Sequence, residues 1–509
     1  MLPFITHFAG RFCLLWCCLL QFNTLFAQQA VETNCPDFSS MVVAHFNKQL
    51  SLGTDVYGPE QTAFWMSSLD TYSGRYPKDD SRPPHIPQRA YLDRFVDAPK
   101  GSTLYWDMPS VTAAFALTET SGTEWYRQKA EDYVRAFLDR CIAENGIFLW
   151  GNHYYYDAYR DSTMKFGSQP VPVDFSSEVG NLHEIRPIMP AWDIFWKIDP
   201  EATEKEIRLS TLAHMVDTLS GEFNRHADGL HQHAFLEAGA SLVYGLAWLY
   251  AKTADQHLLE QADRIVQYSY TNRNLQTGLL ENNPTSTRWD KVTSTSEVGL
   301  WTALLLKAAE FADDTYRTKW EGIAEQALSN YLGFAYDPAA ANYYGMLNIA
   351  DGKPIFREAG DNYPYKPTDY SDLWIPLFPT HNYPFSLAES CLMLYRRTGK
   401  AFYLQHVQQW AALIRESLPA RHGQGAYAEH YGRAIFFLLN CADQLDDPEY
   451  KALAEKVGRE ASDVLFAHGM FRSHPGEYRY DAVDGVGILS LALLWLESGQ
   501  KPDLQGLYF

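Results

Sequence analysis

One local pattern recurs along this chain and limits its fold more than any other feature. The segments TEWYRQKA (Thr123–Ala130), DQHLLEQA (Asp255–Ala262), DDTYRTKW (Asp313–Trp320), KAFYLQHV (Lys400–Val407) and DPEYKALA (Asp447–Ala454) occupy equivalent places. Each follows an apolar helix-like stretch, such as SLVYGLAWLYAK or SLAESCLMLYRR, and a short turn: TSG, TAD, FAD, RTG or LDD. Each opens a second helix with a Tyr or Leu in its first turn, at Tyr126, Leu258, Tyr316, Tyr403 and Tyr450. A lone hairpin cannot bury its apolar face, so such units stack. Apolar periodicity gives about fifteen helical segments, or roughly seven hairpins. Their spacing is uneven, which a regular solenoid would not allow. The expected fold is therefore all-α: a closed (α/α) barrel, read as (α/α)7, with inner helices lining a cleft. The long stretches Pro77–Asp107, Tyr155–Gly180 and Tyr343–Tyr383 are expected to be functional loops at one end.

The rest of the chain fits one folded, exported domain. Of 509 residues, 46% are hydrophobic, enough for a large core. Arg11, the apolar run CLLWCCLLQF and the small residue Ala27 read as a secretory signal over residues 1–27. Residues 28–509 are then a single domain, in the periplasm or outside the cell. No further run approaches the length of a membrane span. Cysteines are too sparse for a disulfide framework, and Cys141, Cys391 and Cys441 read as buried helix residues. The net charge of −20 disfavours nucleic acid and anionic membranes as partners. An anionic polymer could bind only where the surface is locally positive.

Histidines and carboxylates gather in two neighbouring regions. His153 stands in GIFLWGNHYYYDAYRD (Gly146–Asp161) and His183 in NLHEIRP; His226, His231 and His233 follow further on. Glu178 and Glu184 lie between them. Histidine with carboxylate suits a divalent metal, with ligands drawn from separate segments. A structural alternative is open for each. Glu184 could close a capping box on a helix begun by Asn181, with the stripe Ile188, Trp192, Phe195 and Trp196. Arg225 and His226 could belong to a solvated turn at Gly229. HQHAFLEAGA reads as a helix opening that carries His231 and His233 and weakly echoes sugar epimerases. Near the end, MFRSHPGEYRYDAVDGVG brings Arg472, His474 and Arg479 beside aromatic rings. Arginine pairs with carboxylates and rings stack on sugar faces, so Arg472, His474, Arg433, Tyr155 and Trp106 are the candidate substrate-binding residues.

WGNH, HEIRP, NRH and FRSHPGEYRYDAVDGVG together resemble polysaccharide lyase family 2, the pectate lyases built on an (α/α)7 barrel. The resemblance runs from about Trp106 to Leu496 and is strongest at these four motifs. It implies that His153, Glu184 and His226 hold a divalent metal: manganese first, with calcium, nickel, cobalt and zinc as alternatives. It also implies that Arg225 is the catalytic base and that the substrate is an acidic polysaccharide or oligouronate. Two features depart from the family pattern: the long loop carrying Glu178, and the stretch before Trp106. Two other readings are carried forward. One is an α/α-barrel glycoside hydrolase or sugar epimerase that needs no metal; the other is a glycan-binding protein without catalysis.

Overall fold

The computed structural model describes residues 37–78, 98–151, 153–166, 169–176, 183–186, 190–284, 291–355, 370–375, 383–419 and 425–508. The expected signal (1–27), Glu178 and Asn181 lie outside these. Among the described residues there are fourteen α-helices. They are α1 (Phe38–Leu52), α2 (Leu104–Ser121), α3 (Trp125–Arg140), α4 (Trp192–Ile198), α5 (Pro200–His214), α6 (Leu236–Thr253) and α7 (Gln256–Thr271). Then come α8 (Thr295–Phe311), α9 (Asp314–Ala335), α10 (Phe385–Thr398), α11 (Ala401–Glu416), α12 (Ala428–Leu445), α13 (Pro448–Leu465) and α14 (Val486–Ser498). None is long and apolar enough to cross a membrane.

Two kinds of helix alternate. Helices α2, α6, α8, α12 and α14 are buried on almost every face. Helices α3, α7, α11 and α13 bury a single stripe, as expected of an outer layer. The inner helices pack in the order α6, α8, α10, α12, α14, α2. Short α4 completes the ring, with Trp192 and Trp196 beside Trp248 of α6 and Lys197 over Phe115 of α2. Helix α1 packs on α14 as its outer partner. Seven inner positions with seven outer partners make the barrel (α/α)7 among the described residues. The hairpin anchors fall as expected: each opens an outer helix, and Tyr126, Leu258, Tyr403 and Tyr450 are buried.

The inner-to-outer turns are short and chemically repetitive. Asp199, Asp255, Asp313 and Asp447 each accept a hydrogen bond from a first-turn backbone N–H of the outer helix that follows. This satisfies donors that the helix leaves free and starts it at a fixed residue. The returns run from the end of each outer helix to the next inner one, as at 141–191, 215–235 and 336–384. The long returns therefore start and finish at one end, that of the N-termini of the inner helices. Cys391 and Cys441 are buried within helices, and Cys141 is buried at the end of α3.

The inner helices approach closely where glycine removes a side chain. A Cβ on Gly487 would stand 2.2 Å from Ser110 N of α2, and one on Gly432 would stand 2.7 Å from Leu489 N of α14. Because the obstacle is backbone, Gly487→Ala should destabilise the fold by about 1–3 kcal/mol, read as a lower midpoint in urea unfolding.

A buried carboxylate locks this seam. Asp107 of α2 accepts hydrogen bonds from Tyr133 of α3 (2.9 Å) and from Tyr480 (2.8 Å). Burial pushes its carboxyl up to about 7 despite these donors. A carboxyl raised in the folded state stabilises fully below its ordinary pKa and loses that contribution as pH rises through the folded value. Asp107→Asn keeps the shape, and Tyr133 can turn its hydrogen to Ser102 Oγ at 2.6 Å. The wild type should therefore lose stability relative to Asp107→Asn between about pH 4 and about pH 7, by an amount on the order of a few kcal/mol. Urea unfolding of both proteins across that range checks this.

Candidate metal and catalytic site

The site forms where two loops at the open end cross. Glu184 lies in extended backbone, paired with His226 in an antiparallel bridge. Ile185 N–H donates to Arg225 O (3.0 Å), and Ala227 N–H donates to His183 O (3.1 Å). The capping-box expectation is thereby corrected: Glu184 is strand-like, and the helix begins only at Trp192. Likewise, His231 and His233 precede α6, which starts at Leu236. The paired strands are held from below by two histidines. His214 Nδ1 lies 2.8 Å from Asn224 O, and His183 Nδ1 lies 2.8 Å from His214 Nε2. The carbonyl must accept from His214, so His214 Nε2 accepts from His183.

His153 arrives from a third segment. Gly151, at φ +92°, allows the chain to pass the Glu184 strand, since a Cβ there would lie 3.0 Å from Glu184 O. Buried Glu206 of α5 fixes the approach by accepting from Phe148 N–H (2.6 Å) and the Trp150 indole (3.2 Å). His153 Nε2 then stands 3.6 Å from Glu184 Oε2, and His226 Nε2 stands 3.9 Å from Glu184 Oε1. The two imidazole centroids are 5.8 Å apart.

Glu184 is the electrostatic centre. Its side chain is 4% exposed. Burial alone would raise its pKa, but Arg225 and Arg186, with His226 and His153, hold it well below the ordinary carboxylate range. Arg225 Nε lies 2.9 Å and Arg186 Nη1 3.2 Å from Glu184 Oε1. Arg225 also reaches Glu237 Oε1 at 3.4 Å and lies over the Phe235 ring at 4.5 Å. Tyr105 OH donates to Arg186 O and accepts from Arg186 N–H. Burial pushes the pKa of His226 down to about 4 and that of His153 below its usual value.

These residues fit a divalent metal. Both histidines present Nε2 toward one carboxylate, and burial keeps their rings neutral, so lone pairs are available. Two nitrogens and a carboxylate oxygen suit a first-row transition ion, for which ligand distances are about 2.1 Å. Among the described residues, a tighter acidic group, Glu477, Asp481 and Asp484, is buried elsewhere at the same end, but it contains no histidine.

The other expected contacts are used internally. Arg472 donates through Nε and Nη2 to Val464 O, closing the end of α13, and through Nη1 to Glu477 O. Arg433 is buried between Glu389, Glu429 and Tyr508. Tyr155 is buried against Ala98 and Met164. Each of these three side chains makes packing or capping contacts inside the protein. Trp106 is buried in α2, and His474 is buried against Tyr427. The sequence reading gave no role to Arg186, Glu206, His214 and Glu237. Arg186 and Glu237 stood in quoted motifs, HEIRP and HQHAFLEAGA, but only the fold brings Glu206 and His214 to the site.

The motif resemblance is borne out over part of the chain. The family described as periplasmic pectate lyase matches residues 112–234, which contain His153, Glu184, Arg225 and His226. A pectate disaccharide-lyase of Dickeya dadantii is 25% identical over 193 residues, 32% of this chain and 34% of that enzyme. The match thus spans about a third of that relative's length. Among solved structures, a sugar epimerase from a ruminal bacterium is 10% identical with a TM-score of 0.49, covering 91% of this chain and 98% of that one. A family 76 glycoside hydrolase from a bovine Bacteroides thetaiotaomicron strain is 13% identical with a TM-score of 0.46, covering 92% and 79%. At these scores neither carries an argument about activity.

Replacing Glu184 with Gln would leave Arg225 and Arg186 buried beside a neutral partner. Breaking a buried pair in this way costs about 3–5 kcal/mol, so Glu184→Gln in chelator should show a much lower urea midpoint than wild type.

Proposed function

We propose that the protein is a secreted polysaccharide lyase that cleaves a polyuronate, polygalacturonate foremost, by metal-assisted β-elimination. The observation that carries this is the convergence of His153 and His226 on Glu184 with Arg225 alongside. All four lie within the segment that matches the pectate lyase family. His153, Glu184 and His226 would hold the cation. Once bound, it supplies positive charge to a substrate carboxylate, which acidifies the neighbouring C5 proton.

The chain's own residues do the rest. Arg186 and Tyr105 keep Glu184 in place from the buried side. Arg225 is positioned by Glu184, Glu237 and the Phe235 face. The family resemblance makes Arg225 the base for the C5 proton, which requires a neutral guanidine near the substrate. Paired with two carboxylates, it is equally placed to hold the substrate carboxylate in its charged form. Glu297, whose carboxyl is pushed far up by burial and by Glu237, accepts from Glu237 N–H and completes the buried support.

The first test follows ultraviolet absorbance of polygalacturonate with the protein, with chelator, and with manganese restored. A C4–C5 double bond should appear, vanish with chelator and return with metal. His153→Ala and His226→Ala should lose bound metal by elemental analysis and at least a hundredfold in rate. No unsaturated product from any uronate would overturn the lyase reading and favour a hydrolase or epimerase.

A further inference from the structure

A second cleft opens at the loop end, outside the Glu184 cluster. Its volume is about 780 Å³, and its walls include Tyr57, Tyr76, Tyr159 and Tyr478. These walls are built. The Tyr57 and Tyr159 rings stack at 4.7 Å, and Tyr76 meets Tyr159 edge-on. Tyr57 OH accepts from Tyr76 N–H, and Tyr76 OH accepts from Lys100 N–H, both at 2.8 Å.

The lining also carries charge. Arg75, Lys78 and the largely buried Arg479 line it together with two carboxylates, Asp70 and Glu477. Lys100 adds a cation 5.6 Å from the Tyr159 ring centroid. Asp70 is occupied by Ser73, accepting from its N–H and its hydroxyl. Arg75 and Lys78 are exposed, and among the described residues neither makes an ion pair. On a chain of net charge −20, a tyrosine-walled cleft with a cationic surplus departs from the surrounding field.

We infer that this cleft is a second binding site for a carboxylate-bearing glycan, engaging sugars several units away from Glu184. Guanidinium and ammonium groups pair with carboxylates, and tyrosine rings pack against pyranose faces. The strand Tyr154–Asp157 joins the two sites, leading from His153 to Tyr159. The four extended residues of that strand alone span roughly 13 Å, so only a chain of several sugars could occupy both. The choice of a uronate takes its class from the proposed function; the cleft itself stands on its own geometry.

The test is binding without turnover. In a His153→Ala background with chelator, affinity for polygalacturonate and for alginate is measured by calorimetry, with and without Arg75→Ala/Lys78→Ala. Both are surface positions, so folding is preserved. The double variant should bind the polymer about three- to tenfold more weakly, with the difference shrinking at high salt. In the active protein the same pair should raise KM for polymer but leave turnover of a trisaccharide unchanged. Tyr159→Ala should weaken polymer binding independently of salt. Equal affinity of parent and double variant, or no binding of either uronate by the parent, overturns the site. Binding through these residues without unsaturated product would keep the cleft and remove the lyase. Cleavage with unchanged affinity would do the reverse.

Discussion

One buried carboxylate organises the chemistry of this protein. Glu184 has almost no access to water, and an unpaired charge there would be costly. Arg225 and Arg186 offset that cost, and in doing so they fix the relative positions of two loops. His153 and His226 approach the same group from either side. The ion pair thus works as a joint. It brings residues from three segments to within 4 Å of one carboxylate, while burial keeps the imidazoles neutral beside it.

The barrel explains why such a joint can exist where it does. Four of the turns from inner to outer helices are closed by an aspartate and leave little room for variation. The long returns start and finish at the end where the inner helices begin. Glu237 and Glu297 sit in the first turns of α6 and α8, so their carboxyl groups stand at the mouth of the barrel. A mouth built this way is rich in carboxylates. Arginines must then be supplied from the loops, as Arg186 and Arg225 are.

Much of this was legible in the residues. The five hairpin anchors locate outer helices because a short turn and an apolar or aromatic first turn recur together, with a capping aspartate at three of them. The motifs WGNH, HEIRP and NRH mark segments that the fold does bring into contact. Local pattern failed where tertiary pairing overrode it. Asn181 and Glu184 have the spacing of a capping box, yet Glu184 is drawn into a bridge with His226, and the helix starts later. The internal partners of Arg433 and Arg472, Tyr508 and Val464 O, come from other elements, and no local spacing announces them. Glu206 and His214 lie on the buried face of an ordinary amphipathic helix, so their support of the site is invisible without the fold.

The ring is also a statement about how the chain must fold. The hydrogen bond between Asp107 and Tyr480 joins residues 373 apart, and the Gly487 seat on α2 closes the same seam. Adjacent hairpins can form early from local contacts, but this closure waits on the whole length between them, and such nonlocal contacts form slowly. Until α14 arrives, α2 and α12 each present an apolar face to solvent. The intermediate is an open crescent with two sticky edges, so its kinetic hazard is association with a second crescent before it meets its own end.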